Sequence, residues 1–193
     1  MMTHIQQHSH ELLSRYLRHF PGEWSRCQSL QEQLQADRDI FLRSNMAGHI
    51  TSSAAVLSKN GQEILLIKHA FLGKWLTPGG HYEGPGDLFD SALREVEEET
   101  GVASATAHPW TIANQIPIDV DSHEVPARLA KSEGAHVHHD FLFVATAPVD
   151  AHLHAQLSEV HEVAWVPVGE LAKSSDRRVQ LLHRKLLSIS ASS

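Results

Sequence analysis

The chain has 193 residues, enough for one domain with a helical extension, and 41% hydrophobic with 20% charged residues is a globular composition rather than that of a disordered tail. Sixteen Lys and Arg against 23 Asp and Glu give a net charge of −7, which argues against a nucleic-acid partner, since a basic face is needed to neutralise a phosphate backbone. No apolar run reaches the roughly 20 residues of a bilayer span. The opening Met1 to His10 is polar and lacks the basic-then-apolar pattern of a secretory signal, so a cytoplasmic location without membrane contact is the expectation. Cys27 is the sole cysteine and cannot form an intramolecular disulfide, whereas sixteen histidines make the net charge depend on pH near 6.

In chain order, Leu12, Leu13, Tyr16, Leu17 and Phe20 recur at helical spacing until Pro21-Gly22 stops them. A second helix is expected from a Ser29/Glu32 capping box, with Leu30, Leu34 and Phe41 as its apolar stripe. Residues 1–47 therefore read as an N-terminal helical hairpin packed on a main domain, residues 48–193, or alternatively as a homodimer contact. The β-rich runs 49–58 and 63–69 flank Asn60-Gly61, a strong hairpin signal. A glycine- and proline-rich turn, 78–86, leads into a helix over 87–100, capped by Asp87 and stopped by Gly101. Further strands are expected over 112–120, 138–147 and 163–167, and a last helix from Asp176 with Val179, Leu182, Leu186 and Ile189 turned inward. Strands interrupted by isolated helices predict an α/β fold with a mixed sheet covered on both sides.

The chemistry concentrates in Arg94-Glu95-Val96-Glu97-Glu98-Glu99-Thr100-Gly101. On a helix, Glu95, Glu98 and Glu99 fall at i, i+3 and i+4 and share one edge opposite Val96. Like charges at those spacings cost about 0.2–0.5 kcal/mol per pair, and the C-terminal end of the helix dipole disfavours them by roughly 0.3–1 kcal/mol more per group. A cation offsets both effects, and an all-oxygen donor set suits Mg²⁺ or Mn²⁺ rather than zinc. Without one, the edge is a solvated acidic face partly neutralised by Arg94.

From Gly80 through Arg94-Glu95-Val96-Glu97-Glu98-Glu99-Thr100-Gly101-Val102, the sequence resembles the Nudix box, G-x5-E-x7-R-E-U-x-E-E-x-G-U, with U aliphatic. The strand hairpin, the Trp75-x-x-Pro78-Gly79-Gly80 turn and Trp165-Val166-Pro167 agree with the same domain from Gly48 onward. The resemblance implies a Nudix-type α/β/α sandwich hydrolysing a diphosphate bridge in a small phosphorylated metabolite, a nucleoside diphosphate linked to another moiety. It implies Mg²⁺ or Mn²⁺ held by the Gly80 carbonyl, Glu95 and Glu99, with Glu98 a further ligand or the group that orders the attacking water, and Arg94 bracing the glutamates. One box position departs: Gly86 stands where the family has glutamate, and Asp87 follows it. Asp87 reads as the helix N-cap, Asp90 as an i,i+4 partner of Arg94, and Glu83 as a source of loop charge; Gly86→Glu would then restore a ligand. The departure leaves a catalytically weak ligand-binding or regulatory module as the alternative.

The remaining histidines group as His69; His81; His123 near Asp119 and Asp121; and His136, His138 and His139 with Asp140. Strand alternation puts His138 and Asp140 on one face and His139 and Phe141 on the other. His81, His123, His138 and Asp140 are the expected substrate-binding residues.

Overall fold

A computed structural model describes residues 3–36, 39–128 and 133–190. Helix α1 (His4–His19) is capped by the Thr3 hydroxyl, and Pro21 opens a 3-10 segment, Pro21–Cys27, that runs directly into α2 (Gln28–Ala36). The second helix therefore has no capping box at Ser29: the chain is already helical there, and Glu32 accepts instead from the Gln28 side chain at 2.9 Å. Phe41 lies beyond α2, its ring 5.5 Å from that of Tyr82.

The described residues then form a mixed sheet of eight strands: β1 (His49–Ser58), β2 (Glu63–His69), β3 (Trp75–Leu76), β4 (Gly79–His81), β5 (Thr106–Ala107), β6 (Asp119–Val125), β7 (His136–Ala147) and β8 (Val160–Pro167). Helices α3 (Leu88–Thr100), α4 (Pro109–Asn114) and α5 (Arg177–Ser190) complete the fold. The expected hairpin is present, with Val56 opposite Leu65 and Gly61 at φ 69° in the turn. Central β1 runs parallel to β7 along its whole length, and every other pairing is antiparallel.

On its other edge β1 pairs with β2 only near Val56 and Leu57; towards its start that edge is taken by β4, while β2 takes β3. This divergence of β1 from β2 separates two short strands that had read as turn, since two or three residues are too few to show a period.

One sheet face carries Ile50, Ala54, Val56, Val120, Phe141 and Phe143 into a core shared with Leu12, Leu13 and Tyr16 of α1, Leu30 and Leu34 of α2, and Leu88, Ala92 and Val96 of α3. The other carries Ala55, Leu57, Leu142 and Val144 against Leu182, Leu186 and Ile189 of α5. The N-terminal segment is thus part of the larger core, and burying its apolar faces there supplies the stability that helices this short lack alone.

A buried charge network adds to that attachment. The Lys185 ammonium of α5 lies 2.8 Å from both Asp119 of β6 and Glu23 of the 3-10 segment, and donates to the Tyr16 hydroxyl at 2.8 Å. The same hydroxyl bonds Glu23, and Arg26 bonds Asp119 and Asp121. Cys27 is buried against the Val120 carbonyl, and burial pushes its thiol up to about 11, so it is no nucleophile.

The strand expected over 112–120 is instead α4 followed by a loop and the start of β6. Pro109 at the first helical position, with the His108 side chain accepting from Trp110 N–H, starts a helix that the β-branched residues had masked. Residues 119–125 form strand β6, which shares only its first two residues with the expected strand.

Candidate active site

Helix α3 starts where a capping box closes: Asp87 accepts from the backbone of Phe89 and Asp90, and the Asp90 carboxylate accepts from Asp87 N–H. It ends at Gly101, φ 74°. Between these stops the buried face of Val96 fixes the helix rotation, which turns Glu95 and Glu99 towards the β4 backbone. Gly79 N–H donates to Glu99 Oε2 at 3.0 Å. A Cβ at Gly80 would lie within 2.5–2.7 Å of the Glu95 carboxyl group, so only glycine allows this approach.

Arg94 ties the edge together, reaching Glu95 at 2.7 Å, Glu98 at 2.8 Å and the His81 carbonyl at 3.0 Å. It does not pair with Asp90, which the capping box occupies. Glu83 stands 4.0 Å from Arg94 and is well exposed. Burial raises the Glu95 carboxyl against the opposing pull of Arg94. Burial also pushes Glu99 up to about 8, with Gly79 N–H opposing and Glu95 adding to the rise. One buried and one half-buried carboxylate, both close against the β4 backbone, with Arg94 as the cation beside them, form a cradle that fits a hard divalent cation.

At Gly86, where the family pattern has glutamate, the backbone itself favours glycine. Its φ is 111°, a conformation L side chains rarely adopt, and a Cβ there would meet Asp90 Oδ2 at 2.8 Å, the oxygen that closes the capping box. The helix start requires glycine at this position.

Beside the glutamate edge opens a cavity of about 660 Å³ lined by Gly80, Glu95, Glu98 and Glu99 together with His81, His123, His138 and Asp140. Register explains the grouping. His138 lies opposite His49 on one side and His123 on the other; Asp140 lies opposite Thr51 and Asp121; His81 lies opposite Thr51. Residues two apart share a face, so four strands build one polar floor continuous with the α5-side core.

Asp140 accepts from Thr51 at 2.9 Å and Ser53 at 2.5 Å; burial raises its carboxyl, with the Ser53 bond opposing. Burial would raise Asp121 too, but His123 and Arg178 outweigh it and hold that carboxyl well below its usual value. Burial lowers His49, His81 and His138, with neighbouring cationic groups adding to the shift for the last two; His81 reaches about 4.

His139 points to the opposite face as expected, bonded to Ser122 and Gln33, and burial takes it down to about 4. His69 instead caps a turn, accepting from Phe71 and Leu72 N–H. His49, Lys74 and Arg128 were not singled out in the sequence. His49 begins a run that reads as plain strand, and only its register opposite His138 marks it.

The NUDIX domain model matches residues 48–187. The chain belongs to the Nudix family. It is 28% identical over 112 residues to the probable DHNTP pyrophosphohydrolase of Lactococcus lactis subsp. cremoris (strain MG1363), across 58% of this chain and 63% of that protein. It is 24% identical over 159 residues to Nudix hydrolase 6 of Arabidopsis thaliana, across 80% of this chain and 51% of that protein. The aligned stretches thus span less than two thirds of either relative. Among solved structures, a C. elegans Ap4A hydrolase binary complex matches with TM-score 0.57 at 17% identity, covering 75% of this chain and 98% of that one. The E. coli dihydroneopterin triphosphate pyrophosphohydrolase matches with TM-score 0.52 at 13% identity, covering 75% and 96%. These structural likenesses establish the Nudix fold. No helix among the described residues is long and apolar enough to cross a membrane.

Proposed function

We propose that this Nudix protein is a divalent-metal-dependent diphosphohydrolase. Its substrate is a small phosphorylated metabolite, a nucleoside diphosphate derivative linked to another moiety. The observation that carries this reading is a pair of carboxylates, buried Glu99 and half-buried Glu95, held against the β4 backbone at the wall of the cavity. Family membership and the pyrophosphohydrolase name of the Lactococcus relative support it.

Mg²⁺ or Mn²⁺ would be held by the Gly80 carbonyl, Glu95, Glu99 and Glu98; when bound, such an ion supplies Lewis-acid charge to the bridging phosphates and acidifies water. Glu98, the most exposed of the three glutamates, orders the attacking water and takes its proton as oxygen attacks phosphorus and the bridging P–O bond breaks. Arg94 holds Glu95 and Glu98 at fixed spacing, so little reorganisation is needed when charge develops. Lys74 and Arg128 on the cavity wall bring local positive charge to an anion approaching a protein of net charge −7. Trp75, partly exposed on the same wall, offers a flat apolar face to a base, and Phe71 beside it carries the Arg128 guanidinium 4.7 Å over its ring. His81, His123, His138 and Asp140 form the floor that contacts the rest of the substrate.

The test is a screen of diphosphate-containing metabolites with Mg²⁺ and Mn²⁺, read as phosphate release. Glu95→Gln and Glu98→Gln are expected to lower kcat/KM by about 10²–10³-fold. Ligand-dependent change in partner or DNA binding without turnover would establish the regulatory module instead.

A further inference from the structure

Three imidazoles from three strands meet at one end of the cavity floor: His49 at the start of β1, His81 at the end of β4 and His138 in β7. One ring nitrogen of each lies within 4.8 Å of those of the other two. His123 and His136 complete the group, with ring centroids 5.7 and 4.9 Å from that of His138.

The hydrogen bonds around these rings fix where their lone pairs point. His49 Nδ1 lies 3.0 Å from the Asn45 carbonyl oxygen, and His136 Nδ1 lies 2.8 Å from the Gly134 carbonyl oxygen. A carbonyl only accepts, so both Nδ1 atoms carry the proton and both Nε2 atoms present lone pairs. His123 Nδ1 is held in the same way by Asp121 at 3.2 Å. The His49 lone pair meets His81 Nε2 at 3.1 Å, and that of His136 meets His138 Nε2 at 3.1 Å. Each contact is satisfied by an N–H or by a cation.

Two features favour the cation. A backbone carbonyl or carboxylate on the far nitrogen is the support that metal-ligating histidines receive; of the three rings that meet, His49 has it, and the neighbouring His123 and His136 are held alike. Zn–N bonds of about 2.0–2.1 Å in a tetrahedral site place neighbouring nitrogens about 3.3 Å apart, close to the spacing already present between His49 and His81. The donor set is all imidazole nitrogen, which suits zinc and other late first-row ions and not Mg²⁺.

We propose that His49, His81 and His138 bind Zn²⁺ as a second metal site, chemically distinct from the glutamate edge. His81 and His138 line the cavity, so the remaining coordination position faces the space a substrate enters and takes water or an anionic oxygen. His123 and His136 are positioning residues beside the ligands. His81 directly follows Gly80 in the chain, which places the nitrogen site next to the oxygen site along one strand.

The experiment is titration of chelator-stripped full-length protein with Zn²⁺ by calorimetry at pH 7.5, and with Co²⁺ by visible absorption. One saturable equivalent of Zn²⁺ is expected, with Co²⁺ giving the intense bands of a low-coordinate imidazole site. Both are weakened about 100-fold or more in His49→Gln and His138→Gln, by the scale that ligand support alone commands. Glu95→Gln and Glu99→Gln should keep Zn²⁺ affinity, which separates this site from the hydrolase reading, and so should the exposed controls His152→Gln and His161→Gln. Should either ligand variant fail the circular dichroism check for folding, His81→Asn and a Zn²⁺-dependent rise in the wild-type melting temperature stand in. Folded wild type without saturable one-to-one binding, or binding that survives loss of His49 and His138, would overturn the site and leave a hydrogen-bonded imidazole network.

Discussion

Glu95, Glu98 and Glu99 come from five consecutive residues of one helix, whereas His49, His81, His123, His136 and His138 come from four strands scattered through the chain. The glutamates and all of these histidines except His49, which is fully buried beneath them, line the same cavity. The glutamates keep their mutual spacing wherever α3 forms, because helical geometry alone sets it. The histidines meet only if β4, β1, β7 and β6 pair in the observed register, and a one-residue slip would turn each ring to the opposite face. The first group depends on a local element, the second on the packing of the whole sheet.

The sharpest way to break this contrast is to attack the sheet from beneath. Lys185 sits buried between Asp119, Glu23 and Tyr16, where β6, α5 and the N-terminal segment meet. Lys185→Ala removes the buried cation and leaves Asp119 and Glu23 to Arg26 alone, which should cost about 3 kcal/mol, the low end for breaking a buried pair, measured by denaturant unfolding. If the histidine floor depends on this packing, the variant should weaken Zn²⁺ binding well before it alters the helicity of α3. A loss under 1 kcal/mol would show that the network is incidental to the fold.

The two groups should also respond to pH in opposite directions. His81, lowered to about 4, stays neutral in the folded protein while the unfolded imidazole protonates near 6.5. The unfolded state then binds more protons, so stability falls as pH drops from about 6.5 to 4. Glu99, raised to about 8, keeps its proton in the folded protein while the unfolded carboxyl ionises near 4.5. Stability therefore falls as pH rises from about 4.5 to 8. Each group contributes at most about 1.4 kcal/mol per pH unit. Thermal melts should show Glu99→Gln flattening the alkaline limb and His81→Asn the acid limb, with Mg²⁺ raising stability on the alkaline side only. An alkaline limb indifferent to both Mg²⁺ and Glu99→Gln would remove the glutamate half of the comparison.

The smallest effects lie at the start of α3. Gly86→Glu should destabilise by roughly 1–2 kcal/mol through its left-handed backbone and the clash with Asp90, without improving Mg²⁺ affinity. Asp87→Ala should cost about 0.5–2 kcal/mol and leave kcat largely intact. Loss of activity in Asp87→Ala at an unchanged melting temperature would make Asp87 part of the site rather than a cap.

Where one element decided the outcome, the sequence sufficed. Asn60-Gly61 between two β-rich runs specified the first hairpin, Asp87 and Gly101 bounded the glutamate helix, and Asp176 with an inward stripe located the last helix; each signal acts within a few residues. The unbroken spacing from Gly80 to Val102 identified the family on the same local terms. Tertiary structure decided the rest. It split the glycine-rich turn around β4, and drew Tyr16 and Glu23 into contact with Asp119 and Lys185. It also placed His49 opposite His138, for no spacing along the chain encodes a partner across a parallel strand pair. Such contacts follow from which faces the sheet buries and in what register its strands pair, and those choices are made between segments rather than within them.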